Sequence, residues 1–97
     1  MTKYKVIVSK HIAENMLEHT SFIANVSVDA AKRFVSEFEK VVTLLEDNPL
    51  QFQVDTSFAN PDGYRRVIFA KWYKCLFLVK DSTVFVDSIV DCRKYYE

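Results

Sequence analysis

The stretch spanning residues 64–96 constrains the fold of this chain most. It consists largely of β-branched and aromatic residues interrupted by basic ones, a composition typical of β-strands. Asp81-Ser82 interrupts it with polar residues, and we expect a hairpin turn there. A second break, at Lys71, has neither Gly nor Pro, so a tight turn and one long bent strand both fit. With the turn, the strands cover 64–70, 72–80 and 83 to about 91.

The residues before this stretch predict one short strand and two helices. Residues 4–8 alternate between two faces, as in a strand. Apolar residues then recur at three- and four-residue steps, first over 10–26 and again over 27–47, which is the pattern of amphipathic helices. Ser9 and Ser27 occupy N-cap positions, and Pro49 ends the second helix because it lacks an amide donor. With almost no linker between them, the two helices should form an antiparallel hairpin.

The order of elements is therefore β-α-α-β-β-β, within a single domain over residues 1–97. We predict an α+β fold in which an N-terminal strand and an α-helical hairpin precede a three-stranded antiparallel meander. The helices should pack on one face of the sheet. Residues 50–63 end in the turn signal Asn60-Pro61-Asp62-Gly63 and are predicted to form an ordered loop. Three apolar side chains are candidates to anchor it: Phe52, Val54 and Phe58.

Charge is unevenly distributed although the formal net charge is zero. Residues 1–63 hold six basic and nine acidic side chains, whereas residues 64–97 hold seven basic and four acidic ones. The sheet half is thus modestly positive and suited to phosphate or to an acidic partner. It lacks the strong positive charge of a protein that binds nucleic acid avidly.

The positions of the two cysteines predict that both are reduced thiols. In a hairpin about the Asp81-Ser82 turn, Cys75 lies opposite about position 88, which leaves Cys92 about four residues out of register and makes a disulfide unfavourable. The chain has no CxxC motif, and His11 and His19 have no third ligand near them. We expect no metal site and no cofactor.

The sequence predicts a cytoplasmic protein that does not enter a membrane. No apolar run approaches the roughly 20 residues that span a bilayer. The first residues pass directly into strand-like alternation without the apolar segment of a signal peptide.

Four motifs occur in a characteristic order along the whole chain. They are the strand that closes in Val8-Ser9; a helical hairpin containing Ala-Ala-Lys-Arg-Phe at 30–34 and Leu-Leu-Glu-Asp-Asn-Pro at 44–49; Tyr-Arg-Arg at 64–66 followed by Tyr-Lys-Cys-Leu-Phe at 73–77; and Ile-Val-Asp-Cys-Arg-Lys-Tyr-Tyr at 89–96. Together they resemble the RelE/ParE superfamily of bacterial type II toxins. The two helical motifs are closer to the ParE-like branch.

The resemblance implies a toxin of a toxin-antitoxin system, of the kind associated with plasmid stabilisation and growth inhibition. Such a toxin is held inactive in a hetero-oligomer by a cognate antitoxin. ParE-like members poison DNA gyrase, and RelE-like members cut mRNA on the ribosome. A third possibility is a family member that binds an antitoxin but is not toxic.

The RelE-like alternative would make this chain a metal-free endoribonuclease with a defined set of residues. Such cleavage needs cations that stabilise the phosphorane and groups that transfer protons. The resemblance assigns the catalytic roles to Arg65, Arg66, Lys74, Arg93 and Tyr96. Asp91 falls where several RNA-cutting members have histidine, and residues 64–96 contain neither His nor Glu. We therefore favour gyrase inhibition.

The second face of the sheet is predicted to bind a partner. Alternation places Tyr73, Cys75 and Phe77 on one face of the third strand, and Trp72, Lys74 and Leu76 on the other. Both faces are partly apolar, so a partner should cover the face that the helices leave open. We expect an antitoxin segment to contact Trp72, Lys74, Leu76, Lys94 and Tyr95. On the fourth strand, Asp87 and Asp91 should point the same way but lie about 13 Å apart, too far for a carboxylate pair.

Overall fold

The computed structural model describes residues 3–95, with Lys94 and Tyr95 described by their backbone alone. The protein has the predicted α+β fold in the predicted order of elements. These are β1 (Lys5–Val8), α1 (Lys10–Ala24), α2 (Val28–Asp47), β2 (Arg65–Phe69), β3 (Tyr73–Lys80) and β4 (Thr83–Asp91), with short 3-10 turns at Pro49–Gln51 and Cys92–Tyr95. Among the described residues, no helix is long and apolar enough to cross a membrane.

Both helices begin at the serines that the sequence indicates. The Ser9 hydroxyl accepts a hydrogen bond from the Ile12 amide at 3.3 Å, and the Ser27 hydroxyl accepts one from the Ala30 amide at 3.1 Å. These bonds satisfy amides that have no partner within the helix. At the other end of α2, the Asn48 amide still donates to the Leu44 carbonyl before Pro49 stops the helix.

The sheet contains four strands in the order β1-β4-β3-β2. The last three form the predicted antiparallel meander. β1 completes the sheet by pairing in parallel with β4, from Lys5 opposite Thr83 to Val8 opposite Val86. A parallel pair needs a long crossover connection, which the helical hairpin supplies.

The main core lies between the helical hairpin and one face of the sheet. The helices contribute Ile12, Phe34, Val41 and Leu45, which meet buried side chains of all three antiparallel strands: Val67, Phe69, Tyr73, Cys75, Phe77, Val84, Val86 and Ile89. We call this the helix face and the opposite side the outer face. The predicted packing of helices on one face is thus confirmed.

A β-bulge at Asp87 changes the register that simple alternation predicts. Leu76 pairs with Ser88 and Phe77 with Val86, so Asp87 is the extra residue in β4. Cys75 therefore lies opposite residue 89 rather than 88, and both cysteines are free. The prediction that Asp87 and Asp91 point the same way is wrong: Asp87 is exposed, whereas Asp91 is buried.

The chain turns sharply between β2 and β3, so the bent-strand alternative is excluded. Ala70 and Lys71 have φ angles of 48° and 72°, in a left-handed region that residues with a side chain rarely adopt. The Trp72 amide donates to the Ala70 carbonyl at 2.8 Å and closes the turn. This strained turn holds the Trp72 side chain, which is 47% exposed, beside the end of the sheet.

Candidate functional site

The four predicted catalytic residues that the structure describes lie on two faces of the sheet and do not converge on one site. Arg66 pairs with Leu76 and Lys74 lies two residues away on the same side, so both belong to the outer face. Arg65 is opposite Phe77 and Arg93 packs on Tyr73, and both of those aromatic residues belong to the core on the helix face.

Residues 52–64, which we call the strap, run along the free edge of β2. Val54 forms a bridge with Arg65, and the Arg66 amide donates to the Gln53 carbonyl at 3.0 Å. The Phe52 ring packs edge-on against Phe77, with 6.1 Å between ring centroids. The Phe52 side chain thus anchors the strap as predicted. Val54 and Phe58 are 41% and 44% exposed, so neither is a buried anchor, and Val54 contributes through its main chain.

Both arginines of β2 hold the strap in place. The Arg65 guanidinium donates to the Phe52 carbonyl at 2.6 Å. The Arg66 guanidinium donates to the Val54 carbonyl at 3.1 Å and to the Gln53 side chain at 3.2 Å. Their hydrogen-bonding groups are therefore used, at least in part, within the chain itself.

Lys74 forms an ion pair with a carboxylate that the sequence analysis did not single out. Its ammonium lies 2.8 Å from Asp55 Oδ2, and the Asp55 residue is only 1% exposed. The Lys74 ammonium also donates to Ser57 Oγ at 2.8 Å. Asp55 Oδ1 accepts from the Ser57 amide at 2.7 Å and from the Ser57 hydroxyl at 2.5 Å. One compact cluster thus joins the strap to the outer face.

Electrostatics keep the buried Asp55 ionised. Burial raises the pKa of the Asp55 carboxyl, but the adjacent Lys74 ammonium and the two hydrogen bonds from Ser57 outweigh it and lower the pKa to about 2. At neutral pH, Asp55 is therefore a fixed negative charge beside Lys74.

Two of the predicted partner-binding residues are largely covered or engaged within the chain itself. Leu76, on the outer face, is only 9% exposed, and Lys74 is occupied by Asp55 and Ser57. Neither side chain is available on an open surface in this structure. The sequence analysis inferred that a partner would cover this part of the sheet, but the strap of the same chain lies there.

A concave surface lies on the helix face, at the end of the sheet near the β2–β3 turn. It is a cleft of about 620 Å³ between the tip of the helical hairpin and that turn. Its apolar lining includes Phe22 and Val26, which are 63% and 85% exposed, together with Trp72. Three cations, Arg33, Lys71 and Arg93, and one carboxylate, Glu37, also line it. The cleft therefore combines apolar walls with an excess of positive charge.

Arg93 is held rigidly at this cleft. Its Nε lies 3.0 Å from Asp91 Oδ1, and its Nη2 lies 2.9 Å from Asp91 Oδ2. The guanidinium carbon lies 5.7 Å from the Trp72 ring centroid and 5.9 Å from that of Tyr73. The hydrogen bonds from Arg93 to Asp91 raise the pKa of the guanidinium, so its charge is permanent. The sequence analysis identified Trp72 and Arg93 separately, and the fold brings them together.

Folding also brings His19 to the sheet, a contact that the sequence did not lead us to expect. His19 Nε2 lies 3.2 Å from the carbonyl oxygen of Ile89, and the His19 ring packs edge-on against Tyr73 with 5.1 Å between centroids. The helical period gave a signal for this contact, since His19 is seven residues after the fully buried Ile12 and so lies on the same side of α1.

Three predicted site residues remain untested by the structure. Tyr96 lies outside the described residues, and for Lys94 and Tyr95 the side chains lie outside the description.

No protein-family model matches the chain, and no curated protein matches it.

Proposed function

We propose that the chain is the toxin of a bacterial type II toxin-antitoxin system of the RelE/ParE superfamily and inhibits DNA gyrase in the manner of ParE-like members. It would act in the cytoplasm and be neutralised by a cognate antitoxin. The order and spacing of the four sequence motifs support the family, and the α+β fold is compatible with it. Fold alone does not imply function, so the choice of target rests on the site.

The contacts that the basic residues make within the chain support gyrase inhibition over RNA cleavage. Arg65 and Arg66 donate to strap carbonyls, and Lys74 and Arg93 each pair with an aspartate. Stabilisation of a phosphorane requires cations that are directed at the reacting phosphate. Here each candidate cation has an anionic or carbonyl partner in its own chain. Binding to a protein target does not require cations that are directed at a reacting phosphate.

The cleft on the helix face is the proposed binding site for the antitoxin. Its apolar walls suit the apolar side chains of an amphipathic segment, and its excess of cations suits carboxylates in the same segment. Arg33 and Lys71 form no ion pair with any described residue, so their charges are available to a partner. Trp72, as an exposed aromatic residue between cations, is the expected anchor.

Growth assays test the proposal. Induced expression should arrest bacterial growth, and co-expression of the antitoxin encoded beside the toxin should restore it. The Trp72→Ala variant should keep its toxicity but lose neutralisation, whereas Phe58→Ala, at an exposed aromatic residue of the strap, should be neutralised normally. Healthy growth at confirmed high expression of the wild-type protein would contradict toxicity and favour the non-toxic, antitoxin-binding alternative.

Two assays with purified protein distinguish the targets. Supercoiling of plasmid by gyrase should be inhibited, or cleaved complexes should accumulate. Translating ribosomes treated in parallel should show no mRNA cuts. Codon-positioned cuts that disappear in Arg93→Ala would overturn gyrase inhibition.

One observation favours the RelE-like alternative. The fold supplies the histidine that the sheet sequence lacks, because His19 packs against Tyr73, whose hydroxyl lies 3.5 Å from Arg93 Nη2. A histidine, a phenol and a guanidinium are groups that metal-free RNA cleavage uses. Against it, Tyr73 is 3% exposed, and burial raises the pKa of its phenol. If mRNA is cut, His19→Ala should reduce cleavage along with Arg93→Ala.

A further inference from the structure

Lys74 and Ser57 form an anion-binding arrangement on the outer face. The Lys74 ammonium, the Ser57 amide and the Ser57 hydroxyl all direct hydrogen-bond donors or charge toward the carboxylate of Asp55, at distances of 2.5 to 2.8 Å. Arg66 lies on the same face, one strand away from Lys74. A cation flanked by a main-chain amide and a hydroxyl is the donor set that proteins use to bind phosphate or carboxylate groups.

Stability alone does not explain a charged pair in this place. Removing two charges from water costs free energy that their attraction often does not recover, and apolar side chains of similar size frequently serve as well or better. The Asp55 side chain is fully buried and that of Lys74 is 14% exposed, so this desolvation cost applies here. Buried ionic groups are best known for fixing a register or operating a switch.

Only one of the two carboxylate oxygens of Asp55 accepts hydrogen bonds from described residues. Oδ1 accepts two hydrogen bonds from Ser57, whereas Oδ2 contacts Lys74 only as an ion pair and accepts no well-directed hydrogen bond from any described residue. An external oxyanion offers the same kind of acceptor oxygens to these donors. An external anion can therefore compete with Asp55 for the Lys74 and Ser57 donors.

The strap that carries Asp55 has little regular structure. Its middle forms bends and turns, held by the Asn60 side chain, which donates to the carbonyls of Asp55 and Tyr64 at 2.9 Å. Gly63, near the end of the strap, has a φ of 78°, which glycine adopts at little cost. Residues 55–62 of the strap form neither a helix nor a strand.

We propose that the outer face holds an oxyanion-binding site, formed by Lys74 and Ser57 with Arg66 adding positive charge on the same face, in which Asp55 of the strap is a built-in competing ligand. The ligand class is a phosphate or carboxylate group of a partner molecule. With Asp55 in place the site is closed, and displacement of Asp55 opens it. This inference does not depend on the proposed function, since it concerns the opposite face of the sheet from the cleft.

The test removes the built-in ligand and adds an external one. Asp55→Ala should bind sodium phosphate and sodium formate at least about ten-fold more tightly than the wild-type protein, a difference equivalent to about 1.4 kcal/mol. Binding should appear as a saturable rise in the midpoint of thermal unfolding, with chloride holding the ionic strength constant. Phosphate tests for binding of a phosphate group, and formate tests for binding of a carboxylate group. Saturable binding of either one supports the site.

Matched variants show whether the effect arises at this site. Asp62→Ala removes an exposed carboxylate from the same strap and should behave like the wild type. The double variant Asp55→Ala/Lys74→Met lacks the cation and should lose the gained affinity. Asp55→Asn retains the shape of the side chain and serves if Asp55→Ala does not fold. The proposal is overturned if neither Asp55 variant gains affinity for either anion, or if the gain persists without Lys74.

Discussion

Arg93 and Asp91 lie two residues apart in sequence, yet they form a two-pronged contact in which Nε and Nη2 approach the two carboxylate oxygens at 3.0 and 2.9 Å. The Arg93 amide also donates to Asp91 Oδ1 at 3.0 Å. The aspartate thus ends β4 and fixes both the backbone and the side chain of the residue that follows. Because the Arg93 guanidinium is stacked near Trp72 and Tyr73, the same contact shapes one wall of the cleft.

We predict that Asp91→Asn lowers the free energy of unfolding by about 1 kcal/mol. The amide keeps the size of the side chain but loses the charge-assisted contact, and the Arg93 side chain is 46% exposed, so solvent already weakens the pair. Urea denaturation measures the change. Asp87→Asn, at the exposed bulge on the same strand, is the control and should differ from the wild type by less than about 0.5 kcal/mol. Equal effects of the two substitutions would show that the Arg93 contact contributes nothing.

The ionisation of Asp55 should make the protein sensitive to acid. Its pKa is about 2 in the folded protein, below the usual 3.8, so the ionised carboxylate stabilises the folded state above about pH 4. That contribution should be lost as the pH falls from about 4 to 2, and we expect it to be on the order of 1–2 kcal/mol. Urea denaturation of the wild type and Asp55→Asn at several pH values measures it.

The difference in stability between these two proteins should be largest near neutral pH and shrink toward pH 2. Asp62→Asn, exposed in the same strap, should follow the wild-type curve. If the free energies of unfolding of the wild type and Asp55→Asn differ by the same amount from pH 6 to pH 2, the pKa of Asp55 is not lowered by folding.

Adjacent leucines of α2 should differ strongly in their contribution to stability. Leu45 is fully buried in the core, whereas Leu44 is 43% exposed. Leu45→Ala should cost about 2–5 kcal/mol because it leaves a cavity, and Leu44→Ala should cost less than about 1 kcal/mol. Both substitutions place the same residue in the same helix, so helix propensity cancels. Similar losses in chemical denaturation would be inconsistent with the packing of α2 described above.

The two thiols should react at very different rates. Burial raises the pKa of the Cys75 thiol to about 12, so it carries almost no thiolate at pH 8 and is also inaccessible. Cys92 is half-buried. Reaction with a disulfide reagent at pH 8 should therefore label one thiol quickly and the second only in denaturant. In Cys92→Ser the fast phase should disappear, and a fast phase that survives would place Cys75 in contact with solvent.

Local patterns in the sequence were sufficient for the helices, their caps and the strand order of the meander. Ser9, Ser27 and Pro49 act through their immediate neighbours, so their effects are visible in a short window. The Asp87 bulge has no such signature, and it displaced the predicted register by one residue. Side-chain alternation holds only while each residue has a single partner, and a bulge removes that condition.

The parts of the candidate sites that sequence analysis missed depend on contacts between distant residues. Asp55 is a polar residue in a loop, and only the fold places it against Lys74 and buries it. Likewise, His19 meets Ile89 only after α1 has docked on β4. Charge and composition indicated that the sheet half is basic, but they do not show which partner each cation finds.

The parallel pairing of β1 with β4 has a consequence for biosynthesis. The first strand of the chain can find its place in the sheet only after the last strand exists, because each residue of β1 is aligned with one of β4. Contacts of this kind, between residues far apart in sequence, form late in folding. On the ribosome, the growing chain therefore has no complete sheet until translation has passed residue 91 and β4 has left the exit tunnel. A truncated product that lacks β4 would expose one side of both β1 and β3 and be a substrate for proteolysis instead of an active fragment.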